Sequence, residues 1–270
     1  MLSQAYNLTV ILPVFNESSS NLSNCLNSLL NQTVAFKCLI IDESDSQETI
    51  DFLKKHVSKH SNFEYLRPHK RLGLVASLNF GLENCSTKYI ARFDSDDINH
   101  AERFEKQIAF LEKYKDVAIV GTQIYLINGA DKRIAKRQYP TTHENIIRNM
   151  HLFCPLAHPS IMFNVEALHS KAILKYDNDL KFSEDLDLWM RLADLGVKFA
   201  NIDEYLLSYR ISNKERSKVH WKSNLFVRVK SFVRKPSLGK LFGLLAAAVV
   251  CIAPLKAIAF CRKILLFRGI

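Results

Sequence analysis

The chain has 270 residues, enough for one or two domains with a sizeable core, and its apolar (48%) and charged (24%) fractions are those of a globular protein. The net charge of +10 is unevenly spread: residues 1–213 hold 24 Lys and Arg against 26 Asp and Glu, whereas residues 214–270 hold 13 basic residues and one acid, Glu215. A slightly acidic body (1–213) followed by a cationic tail (214–270) is not the footprint of a nucleic-acid-binding domain with a basic face, so no nucleic-acid partner is expected.

Leu8 to Val14 is short and β-branched and reads as a buried strand. Leu22, Leu26, Leu29 and Leu30 then keep helical spacing. Cys38 to Ile41 is a second buried strand, ending at Asp42-Glu43, and a helix follows with Ile50, Leu53 and Val57 on one face. Phe63 to Leu66 is a third strand, Gly73 to Leu82 a helix, and Tyr89 to Phe93 a fourth strand. Further on, Phe104, Ile108 and Leu111 mark a helix, and Val117 to Ile127 is a long strand closed by an Asn128-Gly129 turn. His143 to Phe153 is helical, and His158 to Phe163 is a strand entered through Pro159. Asp185 to Leu195 is a helix ended by Gly196, and Val197 to Ile202 and Leu206 to Tyr209 are short strands. Six scattered cysteines show no zinc-ligand spacing and read as small buried hydrophobes of a reducing compartment. The N-terminus lacks the basic region and long apolar core of a signal peptide.

Buried strands alternating with helices imply a parallel sheet covered on both faces, with ligands beyond the carboxyl ends of its strands. Polar groups recur there: Asn16 and Glu17 after the first strand, Asp42 after the second, and Asp94, Asp96 and Asp97 after the fourth. Three carboxylates within four positions repel one another unless a cation sits among them, and magnesium or manganese in such a seat holds a phosphate-bearing ligand. The competing reading is a solvated turn in which Asp96 or Asp97 caps the helix starting near Ala101.

Six stretches, in order, resemble family 2 glycosyltransferases with the GT-A fold. They are Val10 to Glu17, Ile40 to Ser44, Arg71-Leu72-Gly73 with Ser77 to Gly81, Ala91 to Asp97, His158-Pro159-Ser160, and Ser183 to Trp189, together spanning residues 7–212. The resemblance implies a GT-A-type α/β fold, a mostly parallel twisted sheet flanked by helices. It implies inverting transfer of one hexosyl or N-acetylhexosaminyl unit from a nucleotide-diphosphate-sugar, expected to be a UDP-sugar, to a glycan or lipid-linked acceptor. Pro13, Phe15, Glu17, Asp42, Arg71, Asp94 and Ser95 would line the donor site, Asp42 accepting from the base. Asp96, with Asp94, would bind Mn2+ or Mg2+, and Asp185 would be the general base. Leu78 stands where the family often has arginine, and the Gln-x-x-Arg-Trp motif of processive synthases is missing. Arg210 is a candidate for the diphosphate or a structural ion pair, Asp97 is assigned as a helix cap, His220 is a candidate third metal ligand, and His158 is read as a positioning or packing residue rather than a ligand.

Trp221, Leu225, Val229, Phe232 and Val233 recur at helical spacing among basic residues, the pattern of a membrane-surface helix. Leu241 to Leu255 is uncharged but shorter than the roughly 20 residues of a span. The tail is therefore expected to be a helical, membrane-associating element, interfacial or anchored by one helix, at the cytoplasmic face of the cytoplasmic membrane. The alternatives for the whole chain are a metal-dependent nucleotidyltransferase, for which the acidic loop after the first strand lacks a phosphate-binding glycine run, a glycoside hydrolase using paired carboxylates, and a non-catalytic membrane-associated binding module.

Overall fold

In the computed structural model, residues 6–168, 170–211 and 218–253 are described. Strand β1 (Leu8–Val14) pairs in parallel with β2 (Lys37–Asp42) on one side and β4 (Tyr89–Arg92) on the other, and β3 (Phe63–Leu66) extends the sheet beyond β2. Alternate side chains of β1 point to opposite faces. Leu8, Val10, Leu12 and Val14 share an apolar layer with Leu22, Leu26 and Leu29 of α1 (Ser19–Leu30), whereas Ile11 joins Leu78 and Leu82 of α3 (Leu74–Glu83) in a second layer. Helix α3 lies so close to the sheet that a Cβ on Gly81 would stand 2.6 Å from Ile11 Cγ2. Helix α1 and α2 (Gln47–Val57) begin at serine caps, Ser18 accepting from the Asn21 N–H and Ser46 from the Thr49 N–H.

The remaining strands are β5 (Ile98–Asn99), β6 (Val117–Ile127), β7 (Arg133–Arg137), β8 (Met162–Asn164) and β9 (Lys198–Arg210). The sheet runs β3-β2-β1-β4-β8-β6-β9-β5, with β7 paired to β6. Parallel and antiparallel pairings are equal in number, so the expected mostly parallel sheet is a mixed one. The cause is local. Strand β8 enters between β4 and β6 through a 3-10 turn at His158–Ser160 and runs against both, and β6 and β7 form a hairpin. The two short strands expected over 197–209 are one, β9, whose pairing with β6 steps from Thr122–Ile202 to Gln123–Tyr205. The bulge absorbs Asp203 and Glu204, where the apolar pattern breaks.

Helices α4 (Arg103–Lys113), α5 (His143–Met150) and α6 (Glu184–Asp194) cover the second half of the sheet. Helix α6 buries Trp189 completely against His158, Phe163 and Phe199. In the tail, α7 (Lys218–Arg234) and α8 (Leu238–Ile252) fold back on each other, α8 starting at the Ser237 cap. Packing crosses from tail to body: Val227 and Arg228 are buried, and Ser223 Oγ donates to the Phe182 carbonyl at 2.5 Å. No helix among the described residues is long and apolar enough to cross a membrane. The part of the expected apolar segment from residue 254 onward lies outside the described residues.

Candidate active site

The acidic loop follows β4 and is held from below by arginines. Arg92, 4% exposed, pairs with Asp94 Oδ2 at 2.5 Å. The fully buried Arg103 donates to the Arg92 carbonyl at 3.0 Å, to Asn99 Oδ1 and to Gln107 Oε1, which fixes the strand end. Burial lowers the Arg103 guanidinium to about 9. Arg210, at the end of β9, gives its backbone N–H to Asp97 Oδ1 (2.8 Å), its Nε to the Asp96 carbonyl (2.8 Å) and its Nη1 to the Asn128 carbonyl (2.9 Å), and it pairs with Asp131. Its side chain is therefore committed to the loop's own scaffold.

One ligand oxygen from each of Asp94, Asp96 and Asp97 falls within 4.8 Å of the others. Burial, then the charges of Asp94 and Glu17, push Asp96 up to about 7, and burial beside Asp94 and Asp96 raises Asp97 well above the usual carboxylate range. Asp97 Oδ2 is buried without a hydrogen-bond partner. An orphaned carboxylate oxygen facing two other carboxylates fits a hard divalent cation with oxygen ligands. Asp97 is not the helix cap assigned to it from the sequence: the N-cap of α4 is Glu102, whose side chain caps nothing, and Asp97 belongs to the acidic cluster. His220 is not one of the clustered ligand groups, and its ring lies 3.9 Å from the Phe182 ring.

The loops after β1 and β2 make the neighbouring wall. Phe15 is 40% exposed, and the Arg71 guanidinium sits 3.8 Å from its ring centroid, an open cation–π pair at a mouth beside Pro13. Glu17 Oε1 accepts from the Ser18 N–H and from Asn21 Nδ2, both at 2.8 Å. Asp42 is fully buried: Oδ1 accepts from the Ser44 N–H (2.9 Å) and Oδ2 from Tyr65 Oη (2.6 Å) and Arg67 (3.0 Å). Tyr65 and Arg67 carry no motif in the sequence, and only their position in and just after β3 could have marked them. Glu43 Oε2 accepts the N–H groups of Leu72 (2.6 Å) and Gly73 (2.7 Å), where Gly73 adopts φ 81°, and so Glu43 sets the loop that presents Arg71. Ser95 sits half-buried at the loop apex between Asp94 and Asp96.

Across from the acidic loop stands the start of α6. Ser183 takes a left-handed conformation (φ 61°) and turns Glu184 and Asp185 into the first helical turn, where the helix dipole favours carboxylates. Asp185 Oδ1 accepts the Leu186 N–H at 2.7 Å, and Oδ2 accepts the Cys154 thiol at 3.3 Å. Burial, and Asp185 beside it, raise Glu184 to about 7, with Asp94 adding to the same effect. The two carboxylate groups are thus close enough to feel each other. Between them lie His158, which shares a 2.8 Å hydrogen bond with Tyr176 Oη, and Arg92, whose charge with burial keeps His158 neutral. Asn79 of α3 joins this wall by exchanging hydrogen bonds with the Tyr176 backbone (2.8 and 2.9 Å).

A mixed α/β sheet with three clustered carboxylates at a strand end, an exposed aromatic–arginine pair beside them and a further acid opposite defines an acidic site at the carboxyl ends of the strands, where α/β proteins take their ligands. Residues 9–170 match the family described as Glycosyl transferase family 2, and the chain belongs to that family; it is a glycosyltransferase. It is 30% identical over 223 residues to the amylovoran biosynthesis glycosyltransferase AmsE of Erwinia amylovora, covering 80% of this chain and 82% of that protein. It is 32% identical over 196 residues to the O-antigen biosynthesis glycosyltransferase WbnJ of Escherichia coli (72% and 75%). A third relative is the UDP-Gal:alpha-D-GlcNAc-diphosphoundecaprenol beta-1,3-galactosyltransferase of Escherichia coli, 29% identical over 214 residues (78% and 76%). Among solved structures, S. aureus TarS 1-349 superposes with a TM-score of 0.64 at 18% identity over 95% of this chain and 73% of that one. The mannosyltransferase PcManGT of Pyrobaculum calidifontis, in complex with GDP-Man and Mn2+, gives 0.61 at 13% identity (97% and 80%). These likenesses carry the GT-A architecture.

Proposed function

We propose that the protein transfers a single sugar from a UDP-sugar, with inversion, to a hydroxyl of a lipid-linked glycan in surface polysaccharide or O-antigen synthesis, its acceptor presented at the cytoplasmic face of the membrane. The observation that carries this reading is the opposition of two acidic groups: the Asp94–Asp96–Asp97 cluster on one wall and Asp185 on the other. The relatives support the setting, since two of them serve amylovoran and O-antigen synthesis by name and the name of a third gives UDP-Gal as donor and a GlcNAc-diphosphoundecaprenol acceptor.

Asp96 and Asp94, with Asp97 as the third carboxylate, would hold Mn2+ or Mg2+, which when bound supplies Lewis-acid neutralisation of the departing diphosphate. Phe15 offers its open face to the base or ribose, and Arg71, pivoting off that ring, reaches base or diphosphate. Pro13 and Glu17 shape the same wall, Ser95 would face the ribose side, and Asp42, buried beneath Tyr65 and Arg67, would support the floor against which the uracil edge rests. On the acceptor side, Asp185 takes the hydroxyl proton as the acceptor oxygen bonds to the anomeric carbon. The electron pair of the breaking C–O bond leaves with the diphosphate. One base opposite one leaving group gives inversion, and such general-base help is worth about 10²–10⁴-fold. The Leu186 N–H and the Cys154 thiol hold the carboxylate's orientation without filling every lone pair.

A thermal-shift panel of UDP, GDP, CDP and TDP, with and without manganese, tests the donor site. A manganese-dependent rise with UDP above the others is expected. No response to any nucleotide would sink the reading, and a rise with GDP alone would move the donor class. Anomeric configuration of the product by proton NMR tests inversion.

A further inference from the structure

Sixteen large apolar side chains of the described residues are exposed, and ten of them stand on α7 and α8. On α8 they are Leu238 (87%), Leu241, Phe242 (63%), Leu245, Val249 (66%) and Ile252 (84%). Positions 238, 242, 245, 249 and 252 alternate steps of four and three, which lines them up along one ridge of a helix. The opposite side of α8 is the one that meets the body. A Cβ on Gly243 would stand 2.0 Å from the His151 carbonyl oxygen, a Cβ on Gly239 would stand 2.7 Å from the His151 ring, and Lys240 pairs with Asp194 at 2.7 Å. The ridge thus faces away from the protein. On the body, Leu152 (51%) and Leu195 (57%) are exposed next to those two anchor points, so the apolar surface continues past the helix. A patch this concentrated on a folded chain marks an interaction site.

Charge identifies the occupant. Arg234, Lys235 and Lys240 gather on Asp194, three cationic side chains around one acid, at the start of α8. At its other end Lys222, exposed on α7, lies close enough for its charge to act on Cys251. Lys218 is exposed one turn earlier. A second copy of this surface would bring an equally cationic rim against it. An anionic lipid surface meets both features, accepting the apolar ridge at the acyl boundary and the cations at the headgroups. Fifteen residues of helix span about 22 Å, short of a bilayer's roughly 30 Å core, so α8 alone is too short to cross one.

We propose that the α7–α8 hairpin is the membrane-docking face of this protein, with the ridge Leu238, Phe242, Leu245, Val249 and Ile252 immersed in an anionic leaflet and Lys218 and Lys222 on its headgroups. The surface is separate from the transfer chemistry, and either reading stands if the other fails.

The test is co-sedimentation of the full chain with vesicles of phosphatidylcholine alone or mixed with phosphatidylglycerol. Wild type is expected to bind the mixed vesicles and to bind neutral ones at least tenfold more weakly. The double variant Phe242→Glu/Val249→Glu changes only exposed side chains; its melting temperature should match wild type while mixed-vesicle binding falls tenfold or more. Lys218→Glu/Lys222→Glu should weaken binding several-fold and reduce its salt dependence. Wild type that binds neither vesicle overturns the proposal, as does a double glutamate variant that binds like wild type. A lipid-free dimer in light scattering that Phe242→Glu/Val249→Glu turns into monomer would assign the ridge to a second copy instead.

Discussion

Replacing Asp96 by asparagine should stabilise the cation-free protein at alkaline pH while destroying its response to manganese. Three carboxylates share one loop, and Asp96 is held near 7 by burial and by the charges of Asp94 and Glu17. Its folded-state value lies about three units above that of a free carboxylate, and each unit is worth about 1.4 kcal/mol, a ceiling of about 4 kcal/mol. Asp96 is only partly buried, so solvent screening brings this to about 2 kcal/mol. The sign follows from linkage. A carboxyl whose folded value is raised costs nothing below its unfolded value near pH 4, and the penalty grows as pH climbs through 7. Asparagine cannot ionise, so the variant should match wild type at pH 4 and melt about 4–8 °C higher at pH 8, at about 2–4 °C per kcal/mol for a chain of this size. Adding manganese at pH 8 should raise the wild-type melting temperature and leave the variant unmoved. A difference that does not change with pH, or a variant less stable at pH 8, would refute the clustering argument. An equal manganese response would refute the cation seat.

Asp185→Asn should lower transfer about 10²–10⁴-fold with donor affinity retained, measured by product formation beside calorimetric titration of UDP. Phe15→Ala should weaken UDP binding about tenfold, as expected for a lost stacking face, and leave the melting temperature unchanged because Phe15 is exposed. Gly81→Ala places a methyl 2.6 Å from Ile11 Cγ2 and 2.9 Å from Ile41 Cδ1, and should cost about 1–3 kcal/mol in urea unfolding. Arg210→Met removes the donors to the Asp96 and Asn128 carbonyls, and manganese affinity should fall more than overall stability does.

The strands and helices of the first hundred residues were legible because each has a single strong period: continuous apolar runs for β1 and β2, and four-residue apolar spacing for α1 and α2. Beyond the fourth strand the pattern was harder to read. Ile98–Asn99 is too short to show any period, β7 is basic and half-exposed, and the bulge in β9 splits one strand into two apparent ones. The acidic loop and Asp185 could be named from motif order, but what holds them could not. Arg103 sits on an amphipathic helix, where an arginine normally faces water, yet it is wholly buried because Asn99, Gln107 and the Arg92 carbonyl meet its donors. Cys154 reads as one more small hydrophobe, and its bond to Asp185 spans 31 residues of sequence. Asp97 looked like a cap because its neighbourhood in sequence is a helix start; its backbone donor comes from Arg210, 113 residues away.

Arg228 belongs to the frame of the catalytic body although it stands in the tail. Nearly buried in the middle of α7, its guanidinium grips the Met150 and His151 carbonyls, while Ser223 one turn before holds the Phe182 carbonyl. Those carbonyls belong to the two segments that deliver Cys154 and Asp185. A shortened protein made for solubility by stopping where the composition changes, near residue 213, would lose both grips and slacken the wall that carries Asp185. Stopping after Lys235, before α8, would shed the apolar ridge and keep them. The place to trim this chain is set by two backbone clasps and lies some twenty residues past the point where the charge pattern changes.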